Sequence, residues 1–130
     1  MSKIERFEDI EAWQRARELA LEVYTACRSG PLRRDFGLRD QTTRAAVSVM
    51  ANIAEGFGRR TNKDFANFLY TAKGSAMEVI SHLYVALDQQ YITQDQFDAI
   101  RTGYNEVTGK LIGFIRYLES TPDRFNKGKP

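Results

Sequence analysis

The chain is poor in the side chains that most enzymes and metalloproteins rely on. It has one cysteine, one histidine and three prolines in 130 residues. A lone cysteine, Cys27, excludes an intramolecular disulfide framework, and no Cys/His group has the spacing of a zinc site. With His82 the single imidazole, no nucleophile–histidine–acid arrangement can be drawn. The di-metal centre that helix bundles often carry wants Glu-x-x-His on two helices. Here Glu78 and His82 are four apart and there is no second histidine, which excludes a di-iron site. No enzyme activity, metal or cofactor is expected.

Long apolar runs are also missing. The most apolar stretch, Ala45 to Ala54, is interrupted by Ser48 and Asn52, and it is about half the roughly 20 residues a membrane helix needs. The start, Met1-Ser2-Lys3-Ile4-Glu5-Arg6, is charged and lacks the pattern of a secretory signal. A cytoplasmic protein without membrane association is expected, and the reduced thiol of Cys27 fits that compartment. Charge of one sign is scarce as well: 19 basic against 17 acidic side chains leave a net charge of +2.

What is present is periodicity. Hydrophobic residues make up 42% and aromatics 12% of the chain, enough for the core of one domain. Apolar residues recur every three or four positions in four segments, which predicts helices. The first segment carries Ile10, Trp13, Ala16, Ala20, Val23, Tyr24 and Cys27, and Ser29-Gly30-Pro31 stops it. The second runs from about Leu38 to Glu55, with Gly56-Phe57-Gly58 as its end. The third starts at Thr61 or Asn62, either of which can cap it, with Asp64 in its first turn. In the fourth, Thr93 and Gln96 form a capping-box pattern. Phe97, Ile100, Tyr104, Val107, Leu111, Phe114 and Leu118 then make a heptad seam. Gly109 and Gly113 have the small-xxx-small spacing that permits close helix approach, a motif whose force comes mainly from membranes.

These segments predict an all-α fold, an antiparallel up-down-up-down four-helix bundle. Residues 1–119 form the domain and 120–130 a flexible basic C-terminal tail with little to pack against. The second helix is apolar around most of its circumference, which requires cover on more than one side. Val47, Met50, Ala51 and Ala54 are therefore the candidate oligomer interface. Ser48, Asn52 and Glu55 share one side of that helix, and Ser75, Glu78 and His82 form a polar edge on the third. Both sets read as a structural polar network that fixes helix register, as buried polar groups require partners.

Counting charge by region reveals what the total conceals. Residues 28–63 carry eight basic and three acidic side chains, while residues 1–27 and 64–119 are net acidic. A helix from Arg39 to Glu55 is about 25 Å long at 1.5 Å per residue. Arg33, Arg34 and Arg39 therefore belong to one end of the bundle. Arg59, Arg60 and Lys63 belong to the other, where Arg124, Lys127 and Lys129 of the tail return. The candidate nucleic-acid-binding set is Arg59, Arg60, Lys63, Arg124, Lys127, Lys129, Arg39 and Arg44. Gly56-Phe57-Gly58-Arg59-Arg60 lacks the preceding strand and the lysine of a phosphate loop. No aromatic residues interleave with these cations as on a single-strand stacking platform. Binding is expected to be to backbone phosphate and weakly sequence-selective.

Several blocks of the sequence resemble one family. Phe7-Glu8-Asp9-Ile10-Glu11-Ala12-Trp13-Gln14-Arg15-Ala16 is similar to the opening of the bacterial 23S rRNA intervening-sequence proteins. Phe36-Gly37-Leu38-Arg39-Asp40-Gln41, Arg44-Ala45-Ala46-Val47-Ser48 and Asn52-Ile53-Ala54-Glu55-Gly56-Phe57-Gly58-Arg59 follow it. Phe68 to Ser75, with Glu78, continues the match. The resemblance implies a homopentameric ring of four-helix bundles. Some such proteins lie within intervening sequences of large-subunit rRNA genes. Relatives serve diversity-generating retroelements, where a basic pentamer contacts nucleic acid and a reverse transcriptase. Two departures stand out: Thr43 where a basic residue is common before Arg44, and Met50-Ala51 in place of a frequent Pro-Ser. The function expected is a non-enzymatic ring that binds RNA or DNA through a basic rim. The alternative is an adaptor docking a protein such as a reverse transcriptase.

Overall fold

A computed structural model describes residues 4–123. Four helices carry the fold: α1 (Glu11–Cys27), α2 (Phe36–Phe57), α3 (Asn62–Asp88) and α4 (Gln94–Ser120). Short 3-10 turns, Phe7–Asp9 and Gly30–Arg34, precede α1 and α2. Helix α1 packs on α2 and α4, and α3 packs on the same two, which closes an antiparallel up-down-up-down four-helix bundle.

Local chemistry accounts for the helix boundaries. The Thr93 hydroxyl accepts from the Gln96 amide at 3.1 Å while the Gln96 side chain accepts from the Thr93 amide at 2.8 Å. That is the expected capping box. Thr61 caps α3 by accepting from the Asp64 amide. Helix α2 is longer than its periodicity indicates at both ends. Asp35 accepts from the Leu38 amide and moves the start back to Phe36. Gly56, expected as part of a stop, lies buried inside the helix, and Gly58 is the C-cap. Gly30 turns the chain after α1 with φ +61°, a left-handed conformation that costs glycine nothing sterically.

The core is a continuous cluster in which Leu19, Val23, Ile53, Phe65, Leu69, Leu83, Tyr104 and Leu111 are all fully buried. Each large apolar side chain buried this way contributes about 1.5–3 kcal/mol over leaving it in water. Two glycines set how closely the helices approach. A Cβ on Gly56 would stand 2.7 Å from Phe68 Cβ, so α2 and α3 close there only around a bare backbone. A Cβ on Gly103 would overlap the δ-methyl groups of Leu19, so α4 leaves room there for that buried α1 side chain. The Gly109/Gly113 pair, which has the spacing for close approach, instead faces open space.

The end of α4 departs from expectation too. Ser120 is still helical, and Thr121–Asp123 are tied to the start of α3. Residues 124–130, the rest of the expected tail, lie outside the described residues. No helix is long and apolar enough to cross a membrane among the residues described.

Candidate nucleic-acid interface

The topology sorts the candidate cations into two ends of the bundle. One end combines the 3-10 turn before α1, the α2–α3 turn and the end of α4. A buried asparagine clasps it. Asn62 is 2% exposed, and its Nδ2 donates to the Thr121 and Pro122 carbonyls, each at 3.0 Å. Its backbone N–H donates to the Asp123 carboxylate at 2.8 Å. A carboxylate is thereby set at the positive end of the α3 dipole.

Four acids at the clasp end are committed in this manner, Asp123 among them, whereas Glu55 and Asp64 stay exposed with no ion pair among the described residues. Asp9 accepts from the Glu5 and Arg6 amides at 3.0 and 3.1 Å, and these bonds hold its carboxyl below the usual carboxylate range. Glu11 pairs with Lys110 at 2.9 Å, and Glu119 accepts from the Tyr70 hydroxyl at 3.2 Å. The cations are not so engaged. Arg59, Arg60 and Lys63 are exposed and have no carboxylate partner among the described residues. The Arg59 guanidinium lies over the Phe68 ring, 4.5 Å from its centroid, which fixes its position without neutralising it. Arg124, Lys127 and Lys129 of the candidate set lie outside the described residues.

Arg39 and Arg44 are not brought to this end. Arg44 is exposed on the outer face of α2, midway along the bundle. Arg39 stands at the opposite end, where its guanidinium donates to the Arg33 carbonyl at 3.0 Å and to the Asp40 carboxylate at 3.2 Å. It also covers one face of Phe36, at 4.8 Å.

The polar candidates form a smaller network than their periodicity suggests. Ser48 and Ser75 share a hydrogen bond of 2.9 Å across the α2–α3 contact, and the Asn52 amide donates to the Ser48 carbonyl and hydroxyl. Glu55 and Glu78 are exposed and stand apart from this network. His82 is half-buried, and its Nδ1 has no hydrogen-bond partner among the described residues. Of the candidate interface, Val47 and Ala51 are exposed, whereas Met50 and Ala54 are half-buried, Met50 against the core. Among the described residues no group of three or more His, Cys, Asp or Glu could hold a metal ion.

The family model described as 23S rRNA-intervening sequence protein matches residues 8–113. The chain belongs to that family. Its matched span runs from the first 3-10 turn into α4 and includes the whole α2–α3 turn of this intervening-sequence family member. A similar solved structure is that of a protein with unknown function from the S23 ribosomal protein family of Bacteroides thetaiotaomicron. It is 26% identical with a TM-score of 0.74, over 81% of this chain and 98% of that one. No curated protein matches the sequence.

Proposed function

We propose that the protein is a non-enzymatic, ring-forming helical bundle of the cytoplasm that binds structured RNA, or other nucleic acid, through the α2–α3 turn. One observation carries the reading. Arg59, Arg60 and Lys63 project from the clasp end without carboxylate partners among the described residues, while Asp9, Glu11, Glu119 and Asp123 are bound to backbone amides or side chains. Phosphate oxygens are the natural acceptors for guanidinium and ammonium groups left in this state.

A homopentamer is the proposed assembly. Val47, 43% exposed, and Ala51 leave an apolar strip on the outer face of α2 for a neighbouring subunit to cover. Rotational symmetry would then repeat the α2–α3 turn around one rim and multiply a three-cation patch. Contacts of this kind read phosphate rather than base edges, so affinity falls steeply with salt.

The test is a titration of a structured RNA at two salt concentrations, with light scattering on the same sample. The reading expects a mass near five chains and binding at low salt. Replacing Arg59 and Arg60 by Ala should lower the slope of log K against log salt by about two for each subunit that touches the RNA. A monomer, or RNA binding indifferent to both substitutions, contradicts it. A ring that binds no nucleic acid would favour the adaptor role, with a protein such as a reverse transcriptase on the same rim.

A further inference from the structure

The other end of the bundle holds a cleft that the rim reading does not use. The end of α1, the 3-10 turn Gly30–Arg34 and the first turns of α2 border an open groove of about 550 Å³. This lies within the roughly 300–1,000 Å³ of small-molecule sites. Arg28, Arg33 and Arg39 line it, together with Asp40, Tyr24 and Cys27. Arg39 and Asp40 neutralise each other at 3.2 Å. Arg28 and Arg33 are left with no carboxylate partner among the described residues. The one side-chain contact of Arg28 is a 3.4 Å approach to the Thr25 hydroxyl.

The rest of the lining is flat and neutral. Tyr24 is 40% exposed, and its ring engages no other ring or cation among the described residues. Burial pushes the Cys27 thiol up to about 11, so it stays protonated and offers an apolar floor instead of a thiolate. Nearby, Phe36 is 64% exposed, with one face taken by Arg39. Sequence order separates Tyr24 from Arg33; folding brings both to the cleft. Aromatic faces beside unpaired guanidinium groups are the chemistry that receives an unstacked base and its phosphate.

From this we infer that the α1–α2 end binds a nucleotide unit, with its base against Tyr24 and its phosphate between Arg28 and Arg33. The unit comes either from a free nucleotide or from an unpaired residue of a strand. The inference is independent of the α2–α3 rim, because the two sets of residues lie at opposite ends of the bundle.

Calorimetric titration of the full chain tests it, using AMP, adenosine, inorganic phosphate and a single-stranded oligo(A) as probes. AMP or oligo(A) should bind, and adenosine and phosphate each at least about tenfold more weakly, since each lacks half of the contact. Tighter binding of AMP identifies a free nucleotide, and tighter binding of oligo(A) by the chain with Arg59 and Arg60 replaced by Ala, which removes two rim cations, an unpaired strand. Tyr24→Ala and Arg33→Ala should each weaken the preferred probe about tenfold, with Tyr24→Phe restoring it. Both side chains are partly or fully exposed, so an unchanged thermal melt separates lost binding from lost fold. Arg59→Ala with Arg60→Ala should leave AMP binding as it was. Absence of AMP and oligo(A) binding at millimolar concentration overturns the inference. Binding that survives both Tyr24→Ala and Arg33→Ala does so equally.

Discussion

The two ends of this bundle carry similar numbers of cations and use them differently. At the clasp end Asp9, Glu11, Glu119 and Asp123 are tied to amides or paired, Asn62 and Asp123 lock the α2–α3 turn to the end of α4, and Arg59, Arg60 and Lys63 stand outward beside the exposed Glu55 and Asp64. At the arginine end, one guanidinium is consumed by Asp40 and Phe36, and two others face a cleft with an aromatic wall. Net charge hides both arrangements. What decides the use of a cation is whether a carboxylate is already bound to it, and what shape lies beside it.

The comparison can be broken most severely at Gly56. Valine there would collide with Phe65 and Phe68 and force α2 from α3 at the clasp end, costing about 3 kcal/mol. Denaturant unfolding would show the loss directly. Gly113→Ala is the counterpart, because that glycine meets open space; it should gain about 0.5–1 kcal/mol through helix propensity. Equal responses would mean that Gly56 is not a packing glycine.

The arginine end is probed through Cys27. With its thiol raised to about 11 by burial, alkylation by iodoacetamide at pH 8 should run about a hundredfold slower than for an exposed thiol. The rate should climb with pH until well above 9. Rapid labelling at pH 8 would show that the cleft floor is open.

A smaller effect is expected from Asn62→Ala. It removes two hydrogen bonds made by a buried side chain, which costs about 1–2 kcal/mol. Hydrogen exchange should quicken around residues 60–64 and 118–123 and stay unchanged at 28–36. Acceleration at both ends alike would deny that the clasp is local.

Much of the fold can be read from the chain because capping and apolar spacing act over three or four residues. Thr61, Thr93 and Gln96 perform the roles their positions indicate. The errors have a common origin in what other helices do. Gly56 resembles a helix stop until Phe65 and Phe68 are placed against it, and Gly109 with Gly113 resembles a contact until both face solvent. Ser48 finds Ser75 only through the register of α2 on α3. Asp123 reaches Asn62 across 61 positions of sequence, beyond any local pattern. Regional counting places Arg59 and Arg60 at one end of the bundle, but it does not show which acids are already engaged. The approach of Arg33 to Tyr24 and Arg28 is equally invisible, since the turn between α1 and α2 creates it.

The central claim is that structured RNA meets the α2–α3 turn. Hydrogen-exchange mass spectrometry with and without a base-paired RNA, at low salt, tests it most directly. The account predicts slower exchange confined to residues 57–64, lost again at high salt. No protection there, or protection only along the outer face of α2 around Arg44, would contradict it.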